Sequence, residues 1–359
     1  MAIKYKWLCG QLREWIISSS RKGLNKLPSE QELCRRYQVS RQTVRLALSI
    51  LEQEGLIEKR RGSGSYITGL SRDPDRNIIP ILISDDSEYI YPALLDDIHT
   101  TLVQEGFSSQ IYVTENETVR ERQFLEELLK NPPRGLIAEG CKSALPNPNI
   151  PLYLRLMRRG CKILFLHNYY PDLADCLCLK DDNIAGGALL VDHLISRGHT
   201  SIGGIFKSDD LQGIERFRGF TEEIYKQGLS LPDRQVAWFD TTDLDRLQRF
   251  QDTEFLKKIV QESLHSCTCV VCYNDMIAYF LIKELRRAGL SLPADMAITA
   301  FDNTYLSNSG IFTITTLSHK PHEMGNRAGQ MIISLLKGLP VVSTSVPWKL
   351  IPKESTLLP

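Results

Sequence analysis

Short apolar runs alternate with amphipathic stretches from residue 77 onward, and this alternation constrains the fold more than any other feature of the chain. Runs with the length and composition of buried strands lie at 77–83, 110–113, 135–138, 162–166, 201–206, 269–272 and 297–301. Helical spacing separates them at 91–105, 119–129, 184–197, 216–227 and 276–288. Apolar strands joined by helices are typical of doubly wound parallel sheets. Because about 280 residues exceed one such sheet, the pattern predicts two α/β lobes with a cleft between them.

Charge is divided unevenly along the chain. The whole sequence balances 43 Lys and Arg against 43 Asp and Glu, but residues 1–72 hold fourteen basic and six acidic side chains, a net charge of +8. The remainder therefore carries −8. Such asymmetry predicts a basic nucleic-acid-binding module joined to an acidic one. We place the DNA-binding domain at 1–70, a polar linker at 71–77 and the second domain at 78–359.

Composition excludes several classes of protein. Apolar content of 42% and charged content of 24% are typical of globular chains. Aliphatic runs are far shorter than the roughly twenty residues of a membrane span, and residues 1–7 lack the apolar core of a secretion signal, so a cytoplasmic location is expected. The nine cysteines have no framework spacing, and those at 267, 269 and 272 would alternate between the faces of a strand. We therefore expect buried thiols, no metal and no cofactor.

The basic segment has the layout of a winged helix-turn-helix. Helical spacing covers 5–18, Ser29 and Glu32 have the spacing of a capping box for a second helix, and Ser40 can cap a third. Two strands at 56–61 and 66–68, joined by a Gly-Ser connection, predict a β-ribbon. Three helices followed by a ribbon predict an α+β DNA-binding domain.

Polar residues cluster at the start of the third helix. Val44, Ala47, Leu48 and Leu51 form its inward stripe. The polar positions left over are Arg41, Gln42, Thr43 and Arg45. A recognition helix places its base-reading side chains at this end, where Arg matches guanine and Gln matches adenine.

Segments 27–33, 39–45 and 51–57 together resemble the DNA-binding domain of GntR-type bacterial regulators. The resemblance implies a winged helix that contacts operator DNA. The expected contacts are Ser29, Glu30, Ser40, Arg41, Gln42, Thr43 and Arg45, with Arg61 and Ser63 on the wing. The alternative for the arginines is a solvated helix face, and for Glu30 it is an acid favoured by the helix dipole.

Ligands of doubly wound sheets bind beyond the carboxyl ends of the strands. This rule, with the chemistry of hydroxyl recognition, selects a set of expected ligand-binding residues: Tyr89, Tyr91, Glu139, Lys142, Asn168, Lys207, Asp209, Arg216, Asn274 and Asp302. The rule also points to His167 and Asp275. Lys207 and Asp209 could instead pair with each other at the cleft rim, and Asp275 could instead cap a helix.

Enzyme motifs are absent from the acidic segment. It contains no phosphate loop, no GxSxG elbow, no HExxH and no GxGxxG after a strand. We therefore expect no catalytic residues and a binding function.

Seven further segments resemble the effector-binding core of LacI-type regulators: 179–188, 193–199, 216–220, 272–278, 292–298, 300–303 and 324–328. The resemblance implies two lobes similar to periplasmic sugar-binding proteins. The pairing of the two resemblances, with the phrases at 139–145 and 204–213, is similar to arabinose-responsive repressors in particular. It implies a homodimeric repressor that binds double-stranded operator DNA and is released by a small sugar, L-arabinose first. Another pentose or hexose, a nucleoside, and an enzyme or sugar-binding protein fused to a DNA-binding head stay open.

Overall fold

The structure is a computed structural model that describes residues 5, 7–12, 15–16, 26–53, 56–60, 64–67, 77–85, 89–173, 175–308 and 312–357. Packing divides the chain into two compact units, Met1–Ile78 and Ile79–Pro359.

The first unit is a winged helix-turn-helix, as predicted. Residues 7–12 are helical, and the two helices that follow are α1 (Glu30–Tyr37) and α2 (Arg41–Gln53). Strands β1 (Ile57–Arg60) and β2 (Gly64–Ile67) pair antiparallel. Strand β2 therefore starts inside the Gly-Ser stretch that was expected to be a connection. The core of the unit is formed by the predicted apolar stripes and includes Leu8, Leu12, Leu33, Val44, Ala47, Leu48, Leu51 and Ile57.

The second unit contains two six-stranded sheets, one in each lobe. The sheet of the first lobe has the strand order β13 (Thr344–Val346), β7 (Leu177–Asp181), β6 (Lys162–Leu166), β5 (Gly135–Ala138), β3 (Ile78–Ile83) and β4 (Ser108–Val113). That of the second lobe is β14 (Lys349–Ile351), β12 (Thr315–Ser318), β11 (Ala297–Phe301), β10 (Cys269–Cys272), β8 (Ile202–Lys207) and β9 (Val236–Phe239). The first lobe comprises β3 (Ile78–Ile83), α3 (Tyr91–Gln104), β4 (Ser108–Val113), α4 (Thr118–Lys130), β5 (Gly135–Ala138), α5 (Ile150–Arg158), β6 (Lys162–Leu166) and β7 (Leu177–Asp181). The second lobe continues with α6 (Asn183–Ser196), β8 (Ile202–Lys207), α7 (Leu211–Lys226), β9 (Val236–Phe239), α8 (Thr241–Phe250), α9 (Glu254–Glu262), β10 (Cys269–Cys272), α10 (Asp275–Arg287), β11 (Ala297–Phe301) and β12 (Thr315–Ser318).

Three crossovers connect the lobes. The chain leaves the first lobe after β7, returns after β12 to add α11 (Glu323–Leu336) and β13 (Thr344–Val346), and crosses again to β14 (Lys349–Ile351). Helix α11 packs against α3, β5 and β6 of the first lobe. The parallel pairings in both sheets place the carboxyl ends of the strands toward the space between the lobes.

Helix α7 begins at Leu211, five residues before the predicted start at 216. Sequence reasoning was wrong here because Gly213 lowers the helical propensity of the first turn. In the fold that glycine is required by a close approach, since a Cβ at Gly213 would lie 2.0 Å from the Lys207 carbonyl oxygen. Arg216 is therefore in the second turn of the helix and not at its start.

Candidate functional site

Hydroxyl groups hold the helix starts of the DNA-binding unit in place. The Ser29 Oγ accepts a hydrogen bond from the backbone N–H of Glu32 at 3.3 Å, and the Glu32 carboxylate accepts from the Ser29 N–H at 2.7 Å, which confirms the predicted capping box. The Ser40 Oγ accepts from the Thr43 N–H at 3.2 Å and lies 2.9 Å from the Thr43 hydroxyl. Ser29, Ser40 and Thr43 thus support the helix starts, while Arg41 and Gln42 are exposed.

Glu30 and Arg45 form an ion pair across the two helices. The Arg45 Nε donates to the Glu30 carboxylate at 3.0 Å, and the Arg45 side chain is 68% exposed. A pair this exposed adds little to stability. Its structural effect is to orient the guanidinium on the face where the recognition helix presents Arg41 and Gln42. Arg61 and Ser63 lie outside the described residues, and all nine DNA contacts stay predictions.

A cleft of about 1260 Å³ lies between the two lobes at the carboxyl ends of their strands. This volume exceeds the roughly 300–1,000 Å³ of small-molecule sites, so a monosaccharide would fill only part of it. The structure brings seven of the predicted ligand-binding residues to its lining: Tyr89, Tyr91, Glu139, Asn168, Lys207, Asn274 and Asp302. Lys142, Asp209 and Arg216 do not line it.

Two carboxylates on opposite lobes face the cleft. Glu139 follows β5, and its Oε2 accepts from the Ser84 N–H at 2.9 Å, from the Ser84 Oγ at 2.8 Å and from the Tyr91 hydroxyl at 3.2 Å. Asp302 follows β11 and accepts from the Tyr89 hydroxyl at 2.7 Å. Burial, reinforced by the neighbouring carboxylates, raises the pKa values of Tyr89 and Tyr91 well above their ordinary range. Both phenols therefore stay protonated and donate to these acceptors.

Arg216 lies behind Asp302 and supports it. Its side chain is 1% exposed, and its guanidinium donates to the Asn183 Oδ1 at 3.1 Å, to the Tyr273 carbonyl and to the Asp302 Oδ1 at 3.3 Å. Asp302 has a φ of +94°, a backbone conformation that non-glycine residues rarely adopt and that surrounding contacts must hold. The sequence suggested that Arg216 gives its donors to the ligand. In this structure those donors go to Asn183, the Tyr273 carbonyl and Asp302, and Arg216 does not line the cleft.

Lys207 and Asp209 form part of a buried ionic cluster. The Lys207 ammonium is 2.9 Å from Asp209, 2.5 Å from Asp210 and 3.0 Å from the Thr241 hydroxyl. Burial alone would lower the pKa of Lys207, but the charges of Asp210 and Asp209 raise it. The alternative in which Lys207 and Asp209 pair with each other is correct, although the pair is buried and not at the rim.

This cluster also connects the two lobes. From the first lobe, the Asn116 amide donates to Asp210 at 3.2 Å and to the Thr241 hydroxyl at 2.7 Å. The Asn116 side-chain Oδ1 accepts from the Lys142 N–H at 2.8 Å. We call Asn116, Lys207, Asp209, Asp210 and Thr241 the lobe-bridging cluster. Lys142 thus contacts the lobe-bridging cluster through its backbone N–H.

Asn168 joins the lobes at a neighbouring point. Its Oδ1 accepts from the Ser143 hydroxyl at 3.0 Å and from the Gln212 N–H at the start of α7 at 3.2 Å. The Ser143 Oγ also accepts from the Leu211 N–H at 2.8 Å. These bonds connect the two lobes at a second point beside the lobe-bridging cluster.

The cap of α10 is Asn274 and not Asp275, which the sequence offered as a possible cap. The Asn274 Oδ1 caps α10 by accepting from the Ile277 N–H at 3.0 Å. Asp275 is fully buried and accepts from the Thr304 N–H at 2.6 Å and from the Thr316 hydroxyl at 2.7 Å. Burial, together with the Asp302 charge, raises the pKa of Asp275 to about 7. Asp275 is therefore neither the helix cap nor a lining residue of the cleft.

Sequence reasoning missed several lining residues, among them Asp181, Tyr273, His319 and Trp348. The backbone conformation also marks the site. Positive φ occurs next to the cleft or the lobe-bridging cluster at Tyr89, Asn116, Lys142, His167 and Asp302. Such conformations cluster at ligand sites. They are not visible in a single sequence.

No group of three or more His, Cys, Asp or Glu with metal-binding geometry occurs within the described ranges. Burial raises the pKa values of seven thiols: Cys141, Cys161, Cys176, Cys178, Cys267, Cys269 and Cys272.

In the part of the chain that the structure covers, no helix has both the length and the apolarity to cross a membrane.

Comparison with known proteins identifies the family. Residues 4–67 match the description "Bacterial regulatory proteins, gntR family", and residues 191–356 match "Periplasmic binding protein-like domain". Over 336 residues the chain is 35% identical to the arabinose metabolism transcriptional repressor of Geobacillus stearothermophilus. The aligned region covers 93% of this chain and 91% of that protein. The chain belongs to the arabinose-repressor family of transcriptional regulators.

Two further comparisons agree. The arabinose metabolism transcriptional repressor of Halalkalibacterium halodurans is 32% identical over 94% of this chain and 90% of its own length. A periplasmic binding protein/LacI transcriptional regulator from Alkaliphilus metalliredigens, solved in complex with D-xylulofuranose, has a TM-score of 0.65 at 19% identity and covers 79% of this chain and 100% of that chain. The combination of a GntR-type head with a LacI-type body is thereby confirmed. The chain is thus a transcriptional repressor of this family.

Proposed function

We propose that the repressor binds a pseudo-palindromic operator as a homodimer, and that L-arabinose in the cleft releases it from DNA. The proposal places the DNA-binding domain at 1–70, the linker at 71–77 and the effector and dimerisation domain at 78–359. Its main support is the identity with two arabinose metabolism repressors over more than nine tenths of the chain. Its site of action is the cytoplasm, where an operator would lie.

The charges around the cleft favour a neutral polyol. The two buried cations nearest its floor are already neutralised, Lys207 by Asp209 and Asp210, and Arg216 by Asp302. An anionic ligand would therefore find no uncompensated buried cation among these residues, and the His167 ring on the cleft wall is likewise paired with the Asp181 carboxylate. Glu139 and Asp302 instead offer carboxylate oxygens from opposite lobes, which sugar hydroxyls can bridge. A site built on such acceptors strongly rejects analogues that lack the hydroxyls.

Release of DNA requires a difference in affinity between two arrangements of the lobes. Sugar bridging the two carboxylates favours the closed arrangement, which the lobe-bridging cluster also stabilises. DNA must favour the other arrangement, because a ligand shifts an equilibrium only by its differential affinity. The coupling is then typically about 1–3 kcal/mol and is reciprocal.

Isothermal titration calorimetry of the full chain tests the effector. L-Arabinose should bind more tightly than D-xylose, D-ribose, D-galactose and adenosine. Asp302→Asn should weaken arabinose binding about 10- to 100-fold, because hydrogen bonds to a charged acceptor contribute roughly 1.5–3 kcal/mol. Asparagine tolerates positive φ, so the backbone at this position is preserved. Glu254→Gln, at an exposed position, is the matched control. Tighter binding of another of these compounds, or no heat with arabinose, would refute the assignment.

A further inference from the structure

Asp181 is the centre of a buried polar cluster on the cleft wall. Its Oδ2 accepts from the His167 Nδ1 at 3.0 Å and from the Gln212 amide at 2.8 Å, and its Oδ1 accepts from the His319 Nε2 at 2.7 Å. Burial alone would raise the pKa of Asp181, but the two histidines hold it well below its ordinary value. The carboxylate is therefore ionised and acts only as an acceptor, so each ring nitrogen that faces it carries a proton.

His319 connects the three crossovers between the lobes. Asp181 ends the strand before the first crossover, and His319 itself lies on the second. On the third crossover, the Trp348 ring stacks on His319 with centroids 3.7 Å apart, and the Pro347 carbonyl lies 3.0 Å from the His319 Nδ1. Both ring nitrogens thus face acceptors. His319 thus links the end of β7 before the first crossover to the chain of the third crossover.

His167 has one ring nitrogen that nothing in the described chain satisfies. The residue is 6% exposed, and its Nε2 is buried without a hydrogen-bond partner although His167 lines the cleft. An unpaired buried polar atom is costly and calls for a ligand. Burial would lower the pKa of His167, but Asp181 on β7, Glu139 after β5 and Asp302 after β11 together raise it above its ordinary value. These carboxylates therefore favour the form of His167 in which the Nε2 is protonated and can donate.

We propose that the His167 Nε2–H donates to a hydroxyl oxygen of the sugar, and that Asp181 and His319 are positioning residues that connect this contact to the three crossovers. The inference rests on the proposed function in requiring a sugar in the cleft. It adds a donor to a site whose other buried side chains supply mainly acceptors. It also makes effector binding proton-linked, because loss of the His167 proton removes the donor.

The test is the pH dependence of L-arabinose affinity, measured by calorimetry from about pH 6 to about pH 9. Wild-type affinity should fall about tenfold as pH rises through the His167 titration, since a charge-assisted hydrogen bond is lost. His167→Gln, whose amide can donate from the Nε2 position at every pH, should bind with a pH-independent affinity. His265→Gln, at an exposed histidine, should keep the wild-type profile.

The positioning role is tested by His319→Leu, which removes the hydrogen-bond donor that His319 directs at Asp181. The midpoint of the affinity profile should move to higher pH, because Asp181 then stabilises the His167 proton more strongly. A merely structural role would lower affinity without moving the midpoint, and that result would overturn the role of His319. Arabinose binding that is independent of pH in the wild type overturns the His167 contact alone. No binding of any sugar at any pH overturns the proposed function and this inference together.

Discussion

Replacing Lys207 by methionine should be strongly destabilising. Lys207 is 2% exposed, and its ammonium contacts Asp209, Asp210 and the Thr241 hydroxyl. Its removal leaves two carboxylates facing each other without a cation. Removing one partner of a buried ion pair typically costs about 3–5 kcal/mol, because the remaining charge stays buried and uncompensated.

Urea unfolding of the full chain measures the loss. The control is Arg218→Ala, which breaks an exposed ion pair with Glu222 on α7 and should leave the free energy of unfolding nearly unchanged. Adding Asp209→Asn and Asp210→Asn to Lys207→Met should restore part of the stability, since the uncompensated charge is then gone. A loss below about 1 kcal/mol for Lys207→Met, or no recovery in the triple variant, would refute the description of the cluster as charge-compensated.

Three further outcomes are expected. Arg45→Ala should weaken operator binding and relax base preference in a binding assay with randomised DNA. Glu30→Gln, which loosens the Arg45 guanidinium, should have a smaller effect of the same kind, and no effect of Glu30→Gln would contradict its positioning role. The pKa of Asp275 is about 7 in the folded chain, which lies above its value in the unfolded chain. The stabilisation that Asp275 contributes therefore falls as pH rises from about 4 to about 7. Asp275→Asn should remove that fall when urea unfolding is measured at a series of pH values. Gly219→Ala should lower the thermal midpoint sharply, since a Cβ there would lie 1.9 Å from the Ile184 carbonyl oxygen; an unchanged midpoint would contradict the close helix packing.

The head was predictable in detail because local rules determine it. The spacing of Ser29 and Glu32 is that of a capping box, which marks the start of a helix. One face of the next helix carries Val44, Ala47, Leu48 and Leu51, which are buried. The Glu30–Arg45 pair was not predictable, because it depends on how two helices cross.

The cleft was predictable in position but not in the direction of its side chains. The strand-end rule selected Glu139 and Asp302 correctly as lining residues, since parallel strands end at one edge of a sheet. It also selected Arg216 and Lys207, whose polar atoms turn to other protein groups and not to the cleft. Which of these outcomes occurs depends on partners such as Asn183 and Thr241, which are distant in sequence.

The crossover cluster was beyond a single sequence for a related reason. Asp181, His319 and Trp348 are separated by up to 167 positions and meet only because the chain passes between the lobes three times. Each alone has an ordinary explanation as a cap or a packing residue. Their contact with one another depends on the topology, which the terminal elements α11, β13 and β14 complete.

The central claim is that sugar in the cleft reduces the affinity of the head for DNA. It is tested most directly by fluorescence anisotropy of the full chain on an operator isolated by in vitro selection, titrated with L-arabinose. Saturating arabinose should raise the Kd for DNA by about 5- to 150-fold, and DNA should raise the Kd for arabinose by the same factor. Arabinose that binds by calorimetry but leaves the DNA affinity unchanged would contradict the account.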